Sequence, residues 1–209
     1  RHPRSRVTAP RRRLLVATGS AHKLIELQRL FGDLPIDLVT LIDLGITDEA
    51  PEDGATFEEN ALQKARWYSA ASGEWTLADD SGLEVDALGG APGVWSSSFG
   101  GEEGNHAKNN QRLITEMADQ NQRSARFLCT LVLAKNGMEI ANYHGKVEGE
   151  ISRQPSGNGG FGYDPLFIPT GYSQTLADLG SDIKSQLSHR AKAIQSFVLN
   201  ISSSNLVSF

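Results

Sequence analysis

Apolar residues fall along this chain in short blocks that alternate between two spacings. Arg13-Leu14-Leu15-Val16-Ala17-Thr18 is a continuous apolar run with the length of a buried strand. A turn at Gly19-Ser20 follows, and over residues 23–31 the positions Leu24, Leu27, Leu30 and Phe31 recur at helical spacing. Residues 36–41 read as a second strand. A second helix starts near Thr56, which has Glu59 three residues on, the pairing in which a helix start is capped reciprocally. It runs through Leu62 and Ala65 to about Ala71, and Gly73 ends it. The next apolar run, Trp75-Thr76-Leu77-Ala78, leads directly into Asp79-Asp80-Ser81-Gly82. Residues 105–118 are again helical. Two long strands, 125–135 and 138–147, are joined by Asn136-Gly137, a hairpin turn pair. A last amphipathic helix follows Ser188 and carries Ala191, Ile194, Phe197 and Val198.

Alternation of strand and helix followed by a hairpin predicts an α/β fold with a mixed sheet, the hairpin being a candidate second lobe. At 209 residues the chain is long enough for one large domain or two small lobes. The expected division is a basic, disordered segment over residues 1–12 and a single domain over 13–209. No apolar run is long enough to span a bilayer. The net charge of −5 conceals an asymmetry, because residues 1–13 hold six arginines and no acid. The remainder carries 14 basic against 25 acidic residues. Such a body excludes general nucleic-acid binding, and a polyanionic ligand would need a local basic pocket or a divalent cation. The basic head lacks the apolar core of a secretory signal and reads as a solvated tail, with an organelle transit peptide as the alternative. Cys129, the single cysteine, lies in an apolar run, which fits core packing and a reducing cytoplasm. The five histidines, His2, His22, His106, His144 and His189, show no zinc spacing.

Five segments carry candidate chemistry, each beside a plainer alternative. Asp79 and Asp80 are expected where a strand ends at the rim of the sheet, the place where α/β proteins bind ligands. Neighbouring strand residues face opposite ways, so one acid can face a cleft while the other braces it. Asp-Asp-Ser-Gly is also ordinary turn chemistry. In Thr18-Gly19-Ser20-Ala21-His22-Lys23, a glycine between strand and helix lets backbone N–H groups approach phosphate oxygens, with Lys23 in reach of the same anion. The alternative is a plain turn, and the loop is not a Walker A motif. Asn60 and Lys64 share one helix face, with Glu52 on the preceding loop; a solvated face with charge pairing is the alternative. Glu52, Asp79 and Asp80 are carboxylates suited to Mg²⁺, and an ionised aspartate beside it can accept a proton from water. Glycines flanking Phe161 leave its ring free to stack on a base, with Tyr163 and Asp164 adding hydrogen bonds, unless the loop is structural only. Lys184, His189 and Arg190 gather donors before the last helix, where Ser188 is also a candidate N-cap.

Taken together and in this order, the five segments resemble the inosine/xanthosine triphosphate pyrophosphatases, which remove non-standard purine nucleotides. The resemblance runs from about Leu14 to Ile194, and its most specific motifs are residues 78–94, residues 159–165 and Ser188-His189-Arg190. It implies a mixed, elongated central sheet flanked by helices, with the active cleft between two lobes, usually in a homodimer. It implies Mg²⁺-dependent hydrolysis of ITP, dITP and XTP to the nucleoside monophosphate and pyrophosphate. By motif, Asp80 is the proton acceptor and a metal ligand, with Asp79 and Glu52 as further metal carboxylates and Lys64 as a second catalytic residue, close to the phosphates. Thr18, Gly19, Ser20, Ala21, His22 and Lys23 would hold phosphates. Ser81, Phe161, Gly162, Tyr163, Asp164, Lys184, His189 and Arg190 would hold the nucleotide, Arg190 being a donor suited to a 6-oxo group. Two positions depart from the pattern: Ser20 replaces an asparagine and Ser98 an arginine. They motivate an alternative, a nucleotide sensor that binds without cleaving. A pyrophosphatase of modified pyrimidine nucleotides is a further alternative, although its Ser-Pro-Arg-Arg-like signature is absent.

Overall fold

A computed structural model describes residues 11–203, and in it six strands form one mixed sheet in the order β2-β1-β3-β4-β5-β6. The strands are β1 (Arg12–Val16), β2 (Ile36–Thr40), β3 (Thr76–Val85), β4 (Ser124–Lys135), β5 (Met138–Ile151) and β6 (Phe167–Pro169). The helices are α1 (Ala21–Phe31), α2 (Phe57–Ser72), α3 (His106–Met117), α4 (Leu176–Leu179), α5 (Ser181–Leu187) and α6 (His189–Ser203). β1 runs parallel to β2 and β3, and the remaining neighbours are antiparallel. The expected α/β class and mixed sheet are therefore present. Residues 1–10 of the basic head lie outside the described residues. Arg12 opens β1 and Arg11 hydrogen-bonds Asp37, so these two arginines belong to the fold.

Helix starts follow local chemistry. Thr56 Oγ1 accepts from the Glu59 backbone N–H at 3.1 Å, and Glu59 Oε2 accepts from Ala55 N at 2.6 Å. The cap pairing read from Thr56 and Glu59 thus forms, with the return bond shifted by one residue. Asn105 caps α3 through Lys108 N at 3.0 Å. Asn136 and Gly137 both adopt positive φ, 51° and 77°, as a two-residue hairpin turn demands.

One expectation is overturned. Asp79-Asp80-Ser81-Gly82 neither ends a strand nor forms a turn; β3 continues to Val85, paired with β4 as far as Ala125. Gly82 is required by close approach, not by chain reversal. A Cβ there would lie 2.5 Å from Ser96 Oγ and 2.8 Å from both Gly93 O and the Phe57 ring. Likewise β5 runs four residues beyond the expected 147, because β6 adds three rungs of pairing over Gly149 to Ile151.

Three buried apolar clusters flank the sheet. One joins α1 and α6 to Leu14, Val16, Leu77 and Leu131. A second packs Ala61, Ala65 and Tyr68 of α2 on Leu15, Ala78 and Val132. The third joins Leu83 and Val85 to Leu113 of α3, Phe127, Tyr163 and Phe167. Along β3, therefore, Asp79 and Asp80 sit between the first two clusters, at Leu77 and Ala78, and the third, at Leu83 and Val85. The acids lie mid-strand at the junction of the cores.

Candidate active site

Strand alternation sends the two aspartates to opposite faces of the sheet. On one face, Asp79 Oδ1 lies 3.1 Å from Lys23 Nζ of α1, and Oδ2 accepts from Arg190 Nε of α6 at 3.1 Å. On the other, Asp80 Oδ1 lies 4.0 Å from Lys64 Nζ of α2, while Asp80 Oδ2 is buried without a hydrogen-bond partner. Lys64 Nζ also pairs with Glu52 Oε1 at 2.7 Å, so one ammonium links the loop acid to the strand acid. Asn60, one turn before Lys64, holds that loop in place by accepting from Gly54 N at 2.7 Å.

Electrostatics separates the aspartates further. Burial would raise the pKa of Asp79, but the charges of Lys23, Arg190 and Lys64 outweigh it and hold this carboxyl well below the usual range. For Asp80 burial wins: its pKa is raised despite Lys64 and Lys23, with the negative charge of Asp79 adding to the rise. Lys64 is buried too, yet Asp80, Asp79 and Glu52 raise its pKa and keep it protonated. Two adjacent acids thus have divided roles: Asp79 is a fixed anion that anchors cations, and Asp80 is an acceptor with unused capacity.

The Asp79 face is organised by a residue the sequence reading did not select, Glu26. It accepts from Arg190 Nη1 at 2.9 Å and Ser188 Oγ at 3.3 Å, and lies 3.4 Å from Lys184 Nζ. Its position three residues after Lys23 on α1 was a legible signal, but its partners are more than 150 residues distant. Lys184 Nζ donates to Asp164 Oδ2 at 2.7 Å, and Asp164 in turn accepts from Phe161 N at 3.0 Å. Burial raises the pKa of Asp164 despite that lysine. Lys184 Nζ stands 4.3 Å from the centre of the Phe161 ring. A cavity of about 180 Å³ borders His22, Glu26, Phe161, Lys184 and Ser185.

The other expected residues are distributed as follows. Arg190 is 1% exposed and spends one further donor on Ser81 Oγ at 2.7 Å, so it ties β3 to α1. His189 is buried against the Phe127 ring, 4.9 Å centre to centre, with burial lowering its pKa and Nδ1 unpartnered. Tyr163 is buried and donates to Ser96 O at 2.6 Å, which braces the loop after β3 instead of reaching into the cavity. Gly162 O accepts from Asn110 Nδ2 at 3.0 Å. In the turn between β1 and α1, Thr18 Oγ1 accepts from Ser20 N at 3.1 Å, and Ser20 Oγ caps α1 through Lys23 N at 3.3 Å. A Cβ at Gly19 would meet nothing within 4 Å, so the space over this turn is open. Ala21 starts α1, and His22 stacks on Phe161.

Both departures have local answers. Ser20 supplies the helix cap. The loop with Ser98 is held elsewhere: Ser96 Oγ accepts from Leu83 N at 2.9 Å, and the Arg112 guanidinium of α3 lies 4.1 Å from the Phe99 ring centre.

The carboxylates admit a hard cation in a reduced form. Among the described residues no group of three or more His, Cys, Asp or Glu side chains is gathered for a metal. Asp79, expected as one such ligand, is turned to the opposite face and engaged by Lys23 and Arg190. Glu52 and Asp80 remain, and Mg²⁺ commonly takes one or two protein carboxylates with water and phosphate. The buried, unpartnered Asp80 Oδ2 is the acceptor such an ion needs.

Comparisons with known proteins bear on the family and the fold. The sequence pattern of the Ham1 family matches residues 14–199. A dITP/XTP pyrophosphatase of Bacillus licheniformis is 42% identical over 184 residues, covering 87% of this chain and 94% of that protein. One from Shigella flexneri is 44% identical over 187 residues, covering 88% and 94%. Among solved structures, a HAM1 protein from Coxiella burnetii superposes with a TM-score of 0.83 at 36% identity, covering 92% of this chain and all of that one.

Proposed function

The chain belongs to the Ham1 family, and from that premise we propose that it hydrolyses the non-standard purine triphosphates ITP, dITP and XTP to the nucleoside monophosphate and pyrophosphate, with Mg²⁺. The relatives named as dITP/XTP pyrophosphatases support the substrate class. The observation that carries the chemistry is Asp80 Oδ2, a buried acceptor with no hydrogen-bond partner, on a carboxylate whose other oxygen lies 4.0 Å from Lys64 Nζ.

In this reading the backbone N–H groups of the open turn at the start of α1 and the Lys23 ammonium receive the triphosphate, with no part for the His22 side chain. Glu52 and Asp80 would hold Mg²⁺, and the ion would supply positive charge to offset that of the triphosphate. Asp80 accepts the proton of the attacking water, and its raised pKa makes it a better base than an exposed aspartate. Lys64 fixes Asp80 and Glu52 in register and balances their charge. A base stacked on Phe161 has Lys184 and Arg190 as the nearest cations, 4.3 and 6.0 Å from the ring centre. Lys184 is the nearer donor, Arg190 being buried and engaged by Asp79, Glu26 and Ser81; it matches a 6-oxo group and faces another donor in adenine. A mismatch of this kind rejects a substrate by roughly 10⁴-fold.

The same reading includes a homodimer, for which Trp95, 70% exposed, is a large aromatic available for burial. It also includes a cytoplasmic site of action, in keeping with the one free, buried thiol, Cys129. The test is pyrophosphate release from ITP, dITP, XTP, ATP and GTP, in Mg²⁺ and in EDTA. Mg²⁺-dependent release from the first three, with ATP and GTP nearly inert, supports the proposal. ITP binding with no release from any of them overturns it in favour of a non-cleaving sensor.

A further inference from the structure

Three aromatic rings from three separate parts of the chain meet beside the Lys184 cavity, which two of them, His22 and Phe161, line. The His22 imidazole, in the first turn of α1, lies nearly parallel to the Phe161 ring, 5.2 Å between centres and 14° between planes. His106, the first residue of α3, sets its ring edge-on to both, 5.6 Å from His22 and 6.3 Å from Phe161. Nothing in the pairing of strands requires this contact. His22 is exposed and makes no hydrogen bond among the described residues, whereas Phe161 is held from behind by Asp164 through its backbone N–H.

We propose that His22 is the second wall of the base site, so that a purine inserts between the His22 imidazole and the Phe161 ring, with His106 backing the pair. This rests on the nucleotide reading above and adds a residue and a binding mode to it. Two rings in direct stacking leave no gap, so the pair must part to admit a third plane. His22 can do this with its own side chain, because it is exposed and only one turn into α1, while Phe161 stays fixed on its loop. Parting forfeits one imidazole–phenyl contact and gains two contacts with the base, each of the offset-stacked kind that favours planar rings. The bound base then touches α1, the segment that carries the phosphate turn, and the Phe161 loop at once. His22 therefore orients the base, and His106 limits how far the imidazole swings. The site takes flat, π-rich heterocycles; a ligand with phosphates and no ring gains nothing from it.

Calorimetric binding of IMP and of inorganic tripolyphosphate, to the wild type and to His22→Ala and His22→Phe, tests the idea without turnover. The expected result for His22→Ala is IMP binding weaker by about three- to tenfold, the range of one lost aromatic contact, with tripolyphosphate binding unchanged. His22→Phe, which restores a flat ring, should recover IMP affinity. Unchanged or tighter IMP binding in His22→Ala overturns the proposal, since a ring that merely covers Phe161 would release the site when removed. Equal losses for IMP and tripolyphosphate also overturn it and place His22 among the phosphate contacts. Failure of the wild type to bind IMP, ITP or XTP would instead count against the nucleotide reading itself.

Discussion

At the residue scale, the site depends on two neighbouring aspartates that the fold makes unequal. Asp80, raised above the ordinary carboxylate range by burial, must be ionised to accept a proton. The rate kcat/KM for ITP is therefore expected to be lost at acid pH, as Asp80 takes up a proton. Asp80→Asn should lower kcat by about 10²-fold or more and abolish that acid limb, while leaving the circular dichroism spectrum intact. Asp79 is the reverse case. Its folded pKa is depressed, so the stability it contributes is fully present above its unfolded value near 4 and is lost as pH falls below that. Asp79→Asn leaves Arg190 and Lys23 short of a counter-charge in a buried setting. Urea unfolding at pH 7 should show a loss of about 3 kcal/mol, and the variant should lose less than the wild type between pH 7 and pH 3. The two acids are indistinguishable in the sequence; only the faces of β3 separate them.

At the element scale, β3 is the working part. It stays straight through Asp-Asp-Ser-Gly because β4 pairs with every residue from Thr76 to Val85. The loop after it folds back on Gly82, where Ser96 Oγ bridges Leu83 N and Gly93 O. Gly82→Ala places a methyl group against Ser96, Gly93 and Phe57 at once. Overpacking of that kind costs about 1–3 kcal/mol, measurable as a shift of the urea midpoint. The helix positions, by contrast, were legible from local signals: Thr56 with Glu59, Gly73 at φ 69°, and Asn136-Gly137 at the hairpin. The error at β3 has a plain cause. Acidic and glycine residues in one short run are turn chemistry when the chain is considered alone, and unbroken pairing with β4 overrides that preference.

At the scale of the whole molecule, three cores are closed by apolar contacts. Each is built of apolar contacts between sheet and helices, and the buried acids are compensated by lysine and arginine from α1, α2 and α6. EDTA should therefore stop pyrophosphate release while leaving the far-ultraviolet circular dichroism spectrum unchanged at 25 °C; collapse of the spectrum would show that the cation belongs to the fold. The sequence by itself determined β1, β2, the hairpin of β4 and β5, the helices α1, α2, α3 and α6, and the mixed α/β class, but not β6, α4, α5 or the full length of β3. Those follow from periodicity, capping and turn chemistry, which act within a few residues. Only the tertiary structure decided which aspartate is free, that Glu26 gathers Lys184, Ser188 and Arg190, that Tyr163 braces a loop, and that His22 meets Phe161. Those outcomes depend on which sheet face a side chain takes and on partners up to 164 residues away. Charge pairing and ring stacking act through space, over a few ångströms, and local sequence carries no record of which distant residue will arrive there.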